Sequence, residues 1–295
     1  MKGLIRMSDR AYNYAFLDEG SKKEIRRATL KAAAIPGYQV PFASREMPIG
    51  RGWGTGGLQL TLSLLGQGDC LKVIDQGHDD SVNAVSIKRL VTACSDIETT
   101  EDSELASLIQ SRHRVPEVPL REDQILVFQV PEPEPLRRVE PQEQQTKRLH
   151  AEKDYSSIWL RLYEDIVKWG EITIGADYPS LVNDRYIFNP SPIPRYDVAK
   201  LHNAEGLYLF GAGREKKIYA IPPYTKVEPL QFDDYPFEVE RFDGLCCSAC
   251  GSQNAFLDEI FDEETGTKIY RCSDTNYCAK VQERGGYSDG IGTNV

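Results

Sequence analysis

Four cysteines near the C-terminus, in the pattern Cys247-x2-Cys250 and Cys272-x5-Cys278, constrain this chain more than any other feature. Two thiols separated by two residues sit on one tight turn, with both sulfurs facing a common point. The segment between the pairs, AFLDEIFDEETGTKIYR, carries apolar residues on either side of Glu264-Thr265-Gly266 and reads as a hairpin that returns the chain to deliver the second pair. Four sulfurs converging in this way suit a tetrahedral zinc ion or an iron–sulfur cluster, and spacing does not choose between them. The chain has 7 Cys and 4 His, and none of His78, His113, His150 and His202 falls inside the cluster, so a metal there is held by sulfur. An odd cysteine count crowded at one end argues for a metal site in a reducing compartment rather than a disulfide framework. Cys246 is a neighbour whose side chain points elsewhere, a spare thiol.

Charge and hydropathy exclude several classes of function. Lys+Arg 35 against Asp+Glu 45 leaves a formal charge of −10, which argues against a duplex nucleic acid or an anionic membrane as the main partner. No apolar run reaches the roughly 18 residues of a spanning helix. The N-terminal stretch has no signal-peptide core, so a cytoplasmic protein is expected. With 295 residues there is material for one large domain or two smaller ones.

Along the chain, Ser21-Lys22-Lys23-Glu24 has the form of a capping box and opens a helix through Ile25, Ala28, Ala32 and Ala33. Pro36 stops that helix near Ile35, and Pro36-Gly37 suits a tight turn that leaves the Gly37 Cα exposed. The Gly-rich loop Gly50–Gly57 leads into Leu58, Leu60, Leu62 and Leu64, whose strict alternation predicts a half-buried strand. Residues 70–75 and 125–130 read as strands and 81–94 as a helix, with an acidic loop or a helix start between 95 and 105. Pro131, Pro133 and Pro135 form a stiff linker. Tyr155, Ile158, Trp159, Leu162, Ile166 and Trp169 mark the strongest helical stripe, a core or subunit-interface face, with Gly170 as its terminator. Strands around Glu171–Thr173 and Arg185–Phe188 follow, then Leu207–Phe210 and Ile218–Ile221. Helix and strand mix without a regular βαβ rhythm, so the expected class is α+β: a mixed-sheet core with a central inserted subdomain and a C-terminal four-cysteine hairpin. The predicted division is 1–130 and 196–243 for the core, 131–195 for the insertion and 244–295 for the cysteine module and tail.

Six segments carry a resemblance that none would carry alone: IRRATLKAAAIPGYQVPF, REMPIGRGWGTGG, LKVIDQG, SRHRVPE, FGAGREKKIYAIPPYT and the cysteine pattern. Together, from about Tyr12 to Cys278, the chain resembles the catalytic subunit of bacterial carbon–phosphorus lyase. The resemblance implies a 4Fe–4S cluster on Cys247, Cys250 and Cys272, with an open iron for S-adenosylmethionine. The usual Cys-x3-Cys-x2-Cys spacing of radical S-adenosylmethionine enzymes is absent. It further implies that a 5′-deoxyadenosyl radical takes a hydrogen from Gly37, where the absence of a Cβ lets a Cα radical flatten between two amides. Cys278 is then the catalytic thiol: it passes its hydrogen to the glycyl radical and attacks phosphorus. The C–P bond breaks, the alkyl radical leaves as alkane after recovering hydrogen from Gly37, and the ribose 2-hydroxyl displaces the cysteine. The implied substrate is α-D-ribose 1-methylphosphonate 5-phosphate and the product a 1,2-cyclic phosphate. Cys278 as a fourth metal ligand is the alternative, with zinc in place of the cluster.

The same resemblance gives His113 a role in a second, zinc-type metal site completed by histidines of a partner subunit; the plainer reading is a surface histidine between two arginines. It assigns the inserted subdomain to docking an ATP-binding-cassette protein, within a multi-subunit complex. Arg112 and Arg114 suit phosphate oxygens, or pairing with Glu. The amides around Gly54, Gly56 and Gly57 suit a sugar phosphate, as does Arg214 in the loop Gly211–Lys216. His78, beside Asp79 and Asp80, reads as a solvated loop end. A non-catalytic zinc-ribbon subunit is the competing function; it would tolerate Gly37→Ala, provided that Ala fits the backbone there.

Overall fold

The carboxylate of Asp18 starts the first well-defined element. It accepts the Ser21 amide at 2.9 Å and the Ser21 hydroxyl at 3.1 Å, capping a helix α1 over Glu19–Ala34. Ser21 is therefore inside the first turn and not its cap, because an aspartate three residues earlier reaches both of its polar groups. The helix ends at Ile35, before Pro36, as the sequence predicts. The computed structural model describes residues 17–42, 55–75, 80–113, 115–130, 134–170, 179–190, 196–213, 215–236 and 241–285. The expectations for His78, for a strand at Glu171–Thr173 and for the first three residues of the proline linker lie outside these.

After β1 (Val40–Pro41) come α2 (Thr55–Leu64), β2 (Cys70–Asp75), α3 (Val82–Cys94), β3 (Glu98–Thr99), β4 (Leu108–Arg112) and β5 (Ile125–Val130). Then follow α4 (Leu136–Val139), α5 (Glu143–Glu152), α6 (Trp159–Gly170), β6 (Ser180–Val182), β7 (Tyr186–Phe188), α7 (Tyr196–Leu201), β8 (Leu207–Ala212) and β9 (Lys217–Ile221). The chain closes with β10 (Val227–Pro229), β11 (Gln231–Phe232), β12 (Tyr235–Pro236), β13 (Leu257–Asp262), β14 (Thr267–Cys272) and α8 (Thr275–Glu283).

The main sheet has the order β1-β9-β8-β5-β4-β2-β3. It is mixed, as expected: β3, β2, β4, β5 and β8 run parallel, while β9 and β1 join antiparallel at one edge. Both faces are covered, so its strands read as continuous apolar runs. On β5, Val127 packs with α1, α2 and α3, whereas Leu126, Phe128 and Val130 pack with Val182, Tyr186 and Phe188 of β6 and β7. A small sheet, β10-β6-β7, thus lies against the second face. Its Ile187 turns outward to Leu136, Leu149, Leu162 and Ile166 of the helices beyond. The helical stripe begins at Trp159 rather than Tyr155, because Tyr155–Ile158 form a turn closed by the Ile158 amide on the Tyr155 carbonyl at 3.0 Å. Among the described residues no helix is long and apolar enough to cross a membrane.

One expectation is overturned. Residues 58–64 are not a strand; they belong to α2. The alternation misleads because this helix is enclosed on every side: Gln59, Thr61 and Ser63 are as buried as Leu58 and Leu60. Their polar atoms stay within the helix where they can, the Ser63 hydroxyl donating to the Gln59 carbonyl at 2.7 Å. The glycines of its first turn serve the same close packing. A Cβ on Gly56 would meet Gly213 N at 2.8 Å, and one on Gly211 would meet Gly56 C at 2.8 Å. Backbone cannot yield as a side chain can. Gly211→Ala should therefore lower stability by about 1–3 kcal/mol, measured by denaturant unfolding. Gly66→Ala, whose Cβ meets nothing closer than Asp69 Oδ2 at 3.6 Å, should stay within about 0.5 kcal/mol.

Candidate metal centre and active site

The cysteine module is built as a knuckle, a hairpin and a helix. Gly251, at φ +75°, lets the chain turn back so that its amide donates to the Cys247 carbonyl at 2.8 Å and the Cys247 amide donates to Ser252 at 2.9 Å. Strands β13 and β14 pair from Leu257↔Cys272 to Asp262↔Thr267, the predicted hairpin, and set Cys272 beside the knuckle. Asp274 then caps α8 by accepting the Tyr277 amide at 2.9 Å, and the first turn of that helix presents Cys278. All four Sγ atoms lie within 4.8 Å of one another and are buried. Cys247 and Cys278 are 3.7 Å apart, and Cys250 and Cys272 3.5 Å. A tetrahedral ion with metal–sulfur bonds of about 2.3 Å separates its sulfurs by about 3.8 Å, so the cage as it stands has the size of a single ion. A four-iron cluster seats each ligand on its own iron and requires sulfurs spread wider. Cys246 is exposed and is not one of the four clustered thiols.

Electrostatics inside the cage are unequal. Burial pushes the Cys247 thiol up, but the amides of Cys250, Cys272 and Ala249 outweigh it and bring the group down to about 6. One of them, Cys272 N–H, donates to Cys247 Sγ at 3.3 Å. Burial raises Cys272 strongly, with the sulfurs of Cys250 and Cys247 adding to it. Burial, and then the same two neighbours, push Cys278 up to about 12. One thiolate among crowded thiols is the arrangement that a cation completes.

The module joins the rest of the protein through charge. Its apolar cluster, which includes Ala255, Leu257 and the four cysteines, shares no residue with the other cores. Glu117, nearly fully buried, accepts the Phe256 amide at 3.0 Å and pairs with Lys200 of α7. Lys280 of α8 pairs with Asp102 and with Glu104 at 2.9 Å, and Arg284 approaches Glu104 at 3.5 Å.

A second group of polar residues collects where the parallel strands end, the edge at which open α/β sheets bind ligands. Asp75 ends β2 and Arg112 ends β4; the Arg112 Nε donates to Asp75 Oδ1 at 2.8 Å. Asn83 holds the other Asp75 oxygen at 3.1 Å. His113 follows at φ +80°. The Gly57 amide at the start of α2 donates to Gln129 Oε1 of β5 at 2.5 Å, so this donor is taken by the protein itself. Asp75 and Gln129 belong to this polar edge and were missed by sequence reasoning; the one available signal was a polar residue at the end of an apolar strand. Gly54, Arg114 and Arg214 lie outside the described residues.

Gly37 occupies a third place. Its φ is +77°, and its amide donates to the Ala220 carbonyl of β9 at 3.0 Å. The expectation of an exposed Cα is corrected: the residue is buried, and a Cβ there would meet Val182 Cβ at 2.9 Å and Tyr186 Cβ at 3.0 Å. The turn is as predicted, but β6 and β7 close over it. The contacts at Gly37 and those around Cys278 do not include one another.

Residues 10–284 match the family described as "Phosphonate metabolism protein PhnJ". The chain belongs to the PhnJ family. It is 54% identical over 272 residues to a protein of Escherichia coli (strain K12) named alpha-D-ribose 1-methylphosphonate 5-phosphate C-P lyase, covering 92% of this chain and 96% of that one. A protein of Rhizobium meliloti (strain 1021) with the same designation is 53% identical over 280 residues, 95% of this chain and 94% of the relative. In this PhnJ-family chain the four thiols form a potential metal centre.

Two outcomes test the site. Zinc binding to the reduced, metal-free chain at pH 7 should release at least about two protons per ion, those of Cys272 and Cys278. Because both thiols are raised, affinity should climb as pH increases; titration calorimetry in buffers of different ionisation enthalpy reads both. Replacing Glu117 by Ala should speed amide exchange across residues 256–278 by about tenfold or more and leave β5 protected.

Proposed function

We propose that this chain is the subunit that breaks the C–P bond of α-D-ribose 1-methylphosphonate 5-phosphate, giving methane and α-D-ribose 1,2-cyclic phosphate 5-phosphate in phosphonate catabolism. The observation that carries the reading is near-full-length identity above one half to two C–P lyases, joined to a buried four-thiol cage. The donor chemistry suits iron: Cys247, Cys250 and Cys272 would hold a 4Fe–4S cluster if Cys278 stands outside the ligand set and the cage widens. When bound, that cluster would supply the single electron that cleaves S-adenosylmethionine.

Cys278 is suited to a separate role. It sits on its own helix, is the most accessible of the four at 9% exposure, and, pushed up to about 12, keeps its hydrogen at neutral pH. We assign it the hydrogen donation to a glycyl radical at Gly37 and the attack on phosphorus. Arg112, aimed by Asp75, is assigned to the substrate phosphate, and His113 to a metal shared with a partner subunit. Residues 131–195 are proposed as an insertion that docks an ATP-binding-cassette protein, with the assembly in the cytoplasm; Leu160 on α6 is 67% exposed there.

One observation favours a second reading, a non-catalytic zinc-ribbon subunit: the sulfur spacing fits one ion. Gly37→Ala does not separate the two, because positive φ and the Val182 contact penalise Ala under either. Cys278→Ser does. After oxygen-free reconstitution with iron and sulfide, and with partner subunits present, it should keep iron content and 5′-deoxyadenosine formation within about twofold while methane falls by about 10³-fold or more. Absence of 5′-deoxyadenosine from the unsubstituted enzyme defeats the radical reading; loss of iron from Cys278→Ser makes Cys278 a ligand.

A further inference from the structure

Beneath the Gly37 turn lies a buried polar network. Glu134, 1% exposed, immediately precedes Pro135 in the proline linker; His150, 2% exposed, lies on α5. Their side chains meet at 2.8 Å, His150 Nε2 to Glu134 Oε2. The other Glu134 oxygen accepts the Leu136 amide at 3.1 Å. His150 Nδ1 lies 2.9 Å from the Tyr155 hydroxyl, whose own proton goes to the Arg185 carbonyl. Tyr155 oxygen must then accept from His150 Nδ1–H. His150 Nε2 and Glu134 Oε2 then face each other across one hydrogen bond, so both imidazole nitrogens and both carboxylate oxygens have a partner.

This pair reaches Gly37 by two routes. Gln39, two residues on and 1% exposed, donates its Nε2 to Glu134 Oε2. Gln39 Oε1 has no hydrogen-bond partner among the described residues, so this donation is the one anchor of its side chain there. By the second route the His150 ring packs on the Tyr186 ring at 5.5 Å, and the Tyr186 Cβ fills the space where Gly37 has no side chain. Tyr38 closes on the same ring at 5.9 Å.

We propose that Glu134, His150 and Gln39 are positioning residues for the Gly37 turn: the carboxylate, oriented by His150, grips Gln39 and so fixes the direction of the Gly37 Cα–H bonds. The inference rests on the assignment of Gly37 as the hydrogen donor. A network placed only for stability would not need to reach both Gln39, two residues past that Cα, and Tyr186, whose Cβ covers it; here the carboxylate binds the first and the imidazole backs the ring of the second.

The test uses the assembled complex with this chain labelled with [2,2-²H₂]glycine, and follows deuterium into 5′-deoxyadenosine by mass spectrometry. Gln39→Met deletes the grip and leaves the Glu134–His150 pair; Glu134→Gln removes the carboxylate; the exchanged pair Q39E/E134Q restores one carboxylate and one amide. In both single variants the deuterated fraction, and methane with it, should fall by about tenfold or more while total 5′-deoxyadenosine stays within about twofold, and the exchanged pair should recover. In the complex without added S-adenosylmethionine, the Gly37 amide should exchange about tenfold faster in the single variants. Wild-type deuterium transfer and amide exchange in Gln39→Met overturn the proposal. Absence of deuterium transfer in the unsubstituted enzyme overturns the Gly37 assignment, and the proposal with it.

Discussion

Parallel pairing of β2, β4, β5 and β8 is the constraint on which the rest of the molecule depends. It sends four strand ends to one edge, so that residues far apart in sequence, Asp75, Arg112 and Gln129, become neighbours without any local turn to join them. A parallel sheet cannot leave a face to water. The helices α1 to α3 cover one face and the small β6–β7–β10 sheet the other, and this second cover is what buries Gly37. The enclosure of the glycine and the alignment of the polar edge are thus two results of one pairing scheme.

Legibility in the sequence follows the range of the interactions. The cysteine module was readable because its spacing, its hairpin and its knuckle are local, and all appear as anticipated. So were β2, β5, β8 and α3, each an apolar run or stripe bounded by its own punctuation. Helix α2 was not, because full enclosure erases the polar face that periodicity needs, and small hydroxyl residues mimic a strand's outward side. The Gly37 turn could be read from Pro36, but not its cover, since Val182 and Tyr186 belong to a distant segment. The mixed sheet was anticipated from helix and strand content. Its parallel core was not, because the β5-to-β8 crossover is made by the whole stretch between 131 and 206 rather than by a single helix.

The residues proposed for the reaction are divided among three supports: the sulfur cage on its own module, the arginine edge on the main sheet, and the glycine between two sheets. Glu117, Lys280 and Arg284 are among the described side chains that tie the cage to the sheet, and all three work through charge or hydrogen bonds.

That choice of attachment makes ionic strength a mechanical variable. Screening within a Debye length of about 8 Å at physiological salt acts on exposed partners such as Glu104 and Arg284 before it touches the apolar cores. Concentrated salt would therefore weaken the exposed part of this attachment first, the Lys280 and Arg284 pairs, before the buried Glu117 tie and before the packing inside either half.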